Sequence, residues 1–216
     1  MPTICPSANL IFFPVPKVAC TSLKVQFYEL NNNVEWRSVK IAFGQVHALP
    51  GYNAVPFNAA NLTGFENYDR ITVIRNPVDR ALSAYRDKAR SVVLAGTKAE
   101  QNLISAGLPL EPSPELFFDE IDQYFECAPL IREHMRPFSY YIGNDLNYFD
   151  KIFRLEALDE LARYVGGKIG RPLDLISSNS SNKSVNAAKP VSEKTLKKIV
   201  DFVAEDFDFL SDYYQK

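Results

Sequence analysis

The stretch NLIFFPVPKVACTSLK, residues 9–24, decides how the rest of the chain is read. Its first half, Asn9–Val15, is a short apolar run with the character of a central strand. Its continuation, Thr21–Leu30, places Leu23, Phe27 and Leu30 at helical spacing. Between the two lie Lys17, a few small residues and the Thr21-Ser22 pair. A strand that feeds a helix through such a turn presents unpaired N–H groups and the positive end of the helix dipole, which together favour an anion such as phosphate. Lys17 adds a point charge, and Thr21 and Ser22 add hydroxyl donors. The Walker pattern G-x-x-x-x-G-K-[ST] is absent, and the turn holds no glycine. The same residues also suit a plain strand–turn–helix capped by Thr21 or Ser22.

Working outward, Arg70–Ile74 (RITVI) is a compact, β-branched strand, and Asn76-Pro77 then opens a helix with Asn76 as cap and Pro77 in the first turn. Val78, Ala81, Leu82 and Tyr85 form the buried stripe of that helix. Arg75 falls at the carboxyl end of a strand, where α/β sheets bind ligands, and Ser83 lies two helical turns further on. Arg80 and Arg86 suit surface or helix-packing roles. Val39–Val46 reads as a second strand, 50–67 as a loop, and 91–112 as a flexible insertion. Ser113-Pro114 starts another helix, and Lys151–Leu155 is a short strand. A helix from Leu158 ends at Gly166-Gly167. Ser177–Asn186 is a polar loop by composition, and Ser192 begins the last helix. Strands alternating with helices predict an α/β fold.

Length and composition bound the function. A chain of 216 residues with 46% hydrophobic content suits one domain, 1–216, with a core of its own. A net charge of −2 excludes the broad basicity of a nucleic-acid binder but leaves room for a local anion pocket. No apolar run approaches the ~18 residues of a membrane span, and no basic leader precedes the first apolar run. Three scattered cysteines, Cys5, Cys20 and Cys127, fit a reducing compartment better than a disulfide framework. No His/Cys cluster has metal spacing. A Cys-x5-Arg phosphatase loop starting at Cys20 would need arginine at 26, where Gln26 stands.

PKVACTSLK (16–24) followed by IRNPVDRALSAYRDK (74–88) resembles the two nucleotide-binding motifs of the sulfotransferases that use 3′-phosphoadenosine 5′-phosphosulfate (PAPS). The likeness is closest to the carbohydrate branch, which includes the Golgi chondroitin and HNK-1 enzymes and their bacterial relatives. His134-Met135-Arg136-Pro137, the stretch Phe153–Leu158 and the late Asp206-Phe207 are similar to further segments of that branch. The resemblance implies a three-layer α/β fold with a P-loop-like central parallel sheet flanked by helices. It implies a PAPS-dependent O-sulfotransferase that releases 3′-phosphoadenosine 5′-phosphate, needs no metal, and acts on a hydroxyl of a carbohydrate or glycoconjugate. By the same resemblance Lys17, Ala19, Cys20, Thr21, Ser22 and Leu23 hold the 5′-phosphosulfate. Arg75 and Ser83 hold the 3′-phosphate, and Asn182, Lys183 and Ser184 are candidates for a loop closing over the nucleotide. Without the Golgi enzymes' membrane anchor, a soluble, cytoplasmic protein of the bacterial type is expected.

Lys17 is the expected catalytic cation, stabilising charge on the departing phosphate. Of the two histidines, His47 in GQVHALPG is the expected base, because related enzymes place a histidine in this interval and imidazole titrates near neutrality. His134 is the reserve candidate, and Glu156 suits an anchoring role. The loops 50–67 and 91–112 are expected to shape the acceptor pocket, where Tyr52, Phe57 or Phe65 could stack on a sugar or anchor a loop. The other classes open at this point are a kinase-like phosphotransferase and a non-catalytic nucleotide-binding module. Neither the particular sugar nor the oligomeric state is encoded legibly.

Overall fold

In a computed structural model the described residues are 2–36, 39, 43–52, 56–57, 62–89, 94–173 and 191–216. They form a four-stranded mixed sheet with helices packed on it. β1 (Thr3–Cys5) runs antiparallel to β2 (Leu10–Phe13), with Ile4 opposite Ile11. β2, β3 (Asp69–Ile74) and β4 (Lys151–Arg154) run parallel in that order. All four side chains of β2 are buried, as expected of a strand covered on both faces. The expected α/β architecture therefore stands, with β1 as an antiparallel addition at one edge.

The chain groups into two compact units, each assembled from two stretches: 1–75 with 138–186, and 76–137 with 187–216. The first contains the sheet, α1 (Cys20–Asn32) and a 3-10 segment, Phe43–Ala48. Phe12 packs on Phe27 of α1, while Phe13 meets Phe57, Tyr148 and Phe149. The second is built from helices: α2 (Pro77–Lys88), α3 (Lys98–Ser105), α4 (Pro114–Asp119), α5 (Ile121–Cys127) and α6 (Pro129–Met135). The first unit continues with α7 (Phe138–Ile142) and α8 (Leu158–Ile169), and the second ends with α9 (Glu193–Phe202) and α10 (Ala204–Phe209). Phe117, Tyr124, Ile131 and Ile199 are fully buried at the centre of the second unit.

Several helix starts follow the sequence directly. Asn76 accepts from the N–H groups of Val78 and Asp79, and Ser113 and Ser192 cap α4 and α9 in the same way. Three expectations are corrected. Where a strand is expected at Val39–Val46, Phe43–Ala48 is a 3-10 segment, and 40–42 lie outside the described residues. A short apolar run carries no period that separates strand from helix, and Gly44 interrupts this one. The insertion 91–112 contains α3, whose cap Thr97 accepts from the N–H of Glu100 and whose Leu103 is fully buried. Finally, α8 runs through Gly166-Gly167 and ends at Gly170, a left-handed residue whose N–H bonds the carbonyl of Gly166. Gly166 serves close packing instead: a Cβ there would lie 2.9 Å from the carbonyl oxygen of Arg171.

Candidate active site

Phe13, the last residue of β2, is the register partner of Thr72, two residues before the end of β3, and Thr72 Oγ1 donates to the Phe13 carbonyl at 3.0 Å. The turn 14–19 and Arg75 therefore leave the sheet side by side, outside the carboxyl ends of parallel strands, where open α/β sheets place ligands. The turn contains two non-glycine residues at positive φ, Lys17 (70°) and Ala19 (61°). Each costs roughly 1–2 kcal/mol relative to an ordinary conformation. Arg75 Nη1 donates to the Lys17 carbonyl at 3.2 Å, which braces the strained turn from the end of β3. Ala19, rather than Thr21 or Ser22, occupies the N-cap position of α1 and brings no side-chain cap. The first turn of α1 is thus made by Cys20, Thr21 and Ser22, all half-buried, while the Leu23 side chain enters the core.

His47 reaches this helix terminus from the 3-10 segment, not from a strand end. Its Nε2 lies 2.8 Å from Thr21 Oγ1 and its Nδ1 lies 3.1 Å from Nζ of Lys24. Lys24 is fully buried, and burial pushes its ammonium below the usual lysine range, with Cys20 one turn earlier opposing that shift. The sequence reading did not single out Lys24. Its signal was the spacing: Lys24 follows Thr21 by three positions and Cys20 by four, so the three share one face of α1.

The remaining expected residues are placed as follows. Ser83 is half-buried on α2, in the second unit, and Arg75 closes the first stretch of the first unit. Arg80 is a packing residue: it is buried, with Nη1 on Asp206 Oδ2 at 3.3 Å and Nη2 on the Arg136 carbonyl at 2.7 Å. This ion pair gives a structural role to Asp206, part of the late Asp-Phe motif. Arg86 is exposed. His134 on α6 has Nδ1 2.8 Å from the Leu130 carbonyl, so this nitrogen donates. Glu156 is exposed on the 3-10 turn Leu155–Ala157. Tyr52 is a buried anchor that accepts from Asn31 and packs on Tyr28. Phe57 packs on Phe13 and Tyr148, and Phe65 on Tyr68. Asn182, Lys183 and Ser184 lie outside the described residues.

Among the described residues no helix is long and apolar enough to cross a membrane, and no group of three His, Cys, Asp or Glu side chains could hold a metal ion. The model of the sulfotransferase family matches residues 2–214. The chain belongs to the sulfotransferase family. No curated protein and no solved structure gives a match of comparable strength. As a sulfotransferase, the protein is an enzyme that moves a sulfuryl group to an acceptor.

Proposed function

We propose that this sulfotransferase uses PAPS as donor and sulfates a hydroxyl of a carbohydrate or glycoconjugate. The carrying observation is the junction of the 14–19 turn, the start of α1 and the His47 imidazole, with Nε2 2.8 Å from Thr21 Oγ1. In this reading Lys17, Ala19, Cys20, Thr21, Ser22 and Leu23 hold the 5′-phosphosulfate, with the N–H groups of residues 19–22 as the donors of the helix N-terminus, because the Leu23 N–H donates to the Ala19 carbonyl. Arg75 and Ser83 bind the 3′-phosphate, and Lys183 and Ser184 close over the nucleotide. The carbohydrate acceptor rests on the likeness of the 16–24 and 74–88 motifs to the carbohydrate branch, with the 134–137 and 153–158 segments as weaker echoes.

The chemistry follows from the bonds exchanged. The acceptor oxygen forms a bond to sulfur while the bond from sulfur to the bridging 5′-phosphate oxygen breaks. 3′-Phosphoadenosine 5′-phosphate departs with that electron pair, and His47 Nε2 takes the hydroxyl proton. As in phosphoryl transfer, positioning and neutralisation of charge on the leaving group supply most of the rate. Losing one preorganised donor to that charge lowers turnover by roughly 10²–10³-fold, the loss expected of Lys17→Ala.

Calorimetric titration with 3′-phosphoadenosine 5′-phosphate, ADP and ATP, followed by transfer from labelled PAPS to a panel of glycans, tests the reading. Preference for the 3′-phosphorylated nucleotide with labelled glycan product supports it. Preference for ATP indicates a phosphotransferase, and tight binding without transfer to any glycan indicates a non-catalytic module. His47→Ala with near-normal turnover removes the base assignment.

A further inference from the structure

Thr21 Oγ1, His47 and Lys24 Nζ form one continuous hydrogen-bonded chain that leads from the start of α1 into the protein interior. We propose that Lys24 is a positioning residue for His47: whether Lys24 carries its extra proton decides which ring nitrogen of His47 is bare. This inference rests on the reading of His47 as the base. Its logic comes from the donor inventory. A charged ammonium has donors only, so while Lys24 is charged Nδ1 must accept. The neutral ring then carries its proton on Nε2 and presents it to Thr21 Oγ1. In that state Nε2 has no lone pair for an acceptor hydroxyl.

When Lys24 is neutral, its Nζ lone pair accepts from Nδ1–H, and Nε2 is bare at the helix terminus. Proton balance through a turnover then closes without a further reactant. The acceptor hydroxyl gives its proton to Nε2, Nδ1–H passes to Nζ, and the chain ends with charged Lys24 and protonated Nε2. Release of that proton to solvent restores the starting state. The ring thus relays the proton, and a buried amine rather than a carboxylate sits behind the histidine.

The surroundings favour a neutral Lys24. It is fully buried, and among the described residues no ion pair involves it. Burial lowers its proton affinity. The titratable groups near it are few. Cys20 lies one turn back on α1 and Lys17 in the preceding turn, and the 3-10 segment brings His47. β1 brings Cys5, whose thiol is pushed up by burial, while the 6–8 turn and β2 bring none. Among the described residues the acidic side chain of α1 is Glu29, which accepts from Gln26 Nε2 and the Trp36 N–H, and β1, the 6–8 turn, β2 and the 3-10 segment carry none.

The test uses the full chain labelled with 15N-histidine. The sequence has two histidines, so two imidazoles are observed, and His134→Gln assigns them. Across the range in which the rings are neutral, His47 is expected to pass from protonated Nε2 to protonated Nδ1 as Lys24 loses its proton with rising pH. Lys24→Arg, always charged, keeps Nε2 protonated throughout and lowers turnover by roughly 10²–10⁴-fold, the usual contribution of a general base, while donor affinity is retained. Lys24→Met abolishes the pH-dependent exchange. A wild-type His47 whose tautomer does not change with pH overturns the proposal, as does Lys24→Arg turning over like the wild type. If either variant fails to fold, the wild-type titration decides alone. If the wild type transfers no sulfuryl group from PAPS, the functional reading fails, while the tautomer measurement still reports on the Lys24–His47 pair.

Discussion

Replacing Arg80 by methionine is expected to destabilise the protein by about 3–5 kcal/mol, the cost of leaving one partner of a buried ion pair alone. The reasoning starts from exposure. The Arg80 and Asp206 side chains keep only 4% and 5% of their surface open to solvent, and Nη1 lies 3.3 Å from Oδ2. Methionine fills most of the space of the arginine stem but takes the guanidinium away from the buried Asp206 carboxylate, and also removes the donor to the Arg136 carbonyl. For a chain of this size 1 kcal/mol shifts Tm by roughly 2–4 °C, so a fall of roughly 6–20 °C is expected. Asp206→Asn, which keeps an acceptor for the guanidinium, should cost less, about 1–3 kcal/mol. The double variant Arg80→Met/Asp206→Asn should be more stable than the sum of the single losses, because no buried charge is left unpaired. Urea unfolding followed by circular dichroism measures all three. A loss below about 1 kcal/mol for Arg80→Met, or strict additivity in the double variant, would refute the argument that the pair is desolvated and coupled.

Other outcomes follow from single positions. Lys24→Met should change the pH dependence of stability. The folded chain releases the Lys24 proton below the unfolded value of 10.5, so between the two values the unfolded state holds more protons and wild-type stability rises with pH relative to the variant. The slope reaches at most about 1.4 kcal/mol per pH unit, and a flat difference between the two unfolding series would mean that Lys24 is solvated. Gly143→Ala should lower the urea midpoint by an amount equivalent to roughly 1–3 kcal/mol, because φ is +76° and the new Cβ would lie 2.7 Å from Phe57 Cδ1; an unchanged midpoint would show that neither strain nor contact matters there. Asn76→Ala removes the acceptor for two N–H groups of α2 and should cost about 1 kcal/mol, which thermal unfolding would resolve.

Much of the frame was legible because local chemistry agreed with the final environment. β2 is apolar and buried throughout and β3 is buried from Ile71 to Ile74, so composition marked them, and Asn76, Ser113 and Ser192 announced helix starts through their capping side chains. The site's strand–turn–helix was legible for the same reason, and Arg75 was found at the end of β3. What escaped depended on distant partners or on short signals. β1 has three residues, too few for a periodic pattern. Residues 43–48 adopt a 3-10 form that an apolar run does not distinguish from a strand. The helix inside 91–112 did carry a signal in Thr97-Lys98-Ala99-Glu100, the form of a capping box, but the expected flexibility masked it. The Gly166-Gly167 pair looked like a terminator, whereas the left-handed conformation fell to Gly170. Lys24 was not singled out, because nothing local shows that its ammonium is buried against an imidazole more than twenty positions away. Likewise, no sequence pattern marks Arg75 as the brace of the Lys17 carbonyl.

The β3–β4 pairing carries a consequence for how the protein is made. Ile71 stands opposite Lys151, and Asp150 accepts from the Arg70 N–H across 80 positions. At ribosomal speeds of about 5–20 residues per second, the nascent strand waits roughly 4–16 s for its neighbour to be synthesised. During that interval Val73 and Ile74, both fully buried in the finished enzyme, offer an open hydrogen-bonding edge to other nascent chains. A slow codon cluster placed just before position 151 would lengthen that vulnerable interval and send more of the product into aggregates, without altering a single residue of the mature chain.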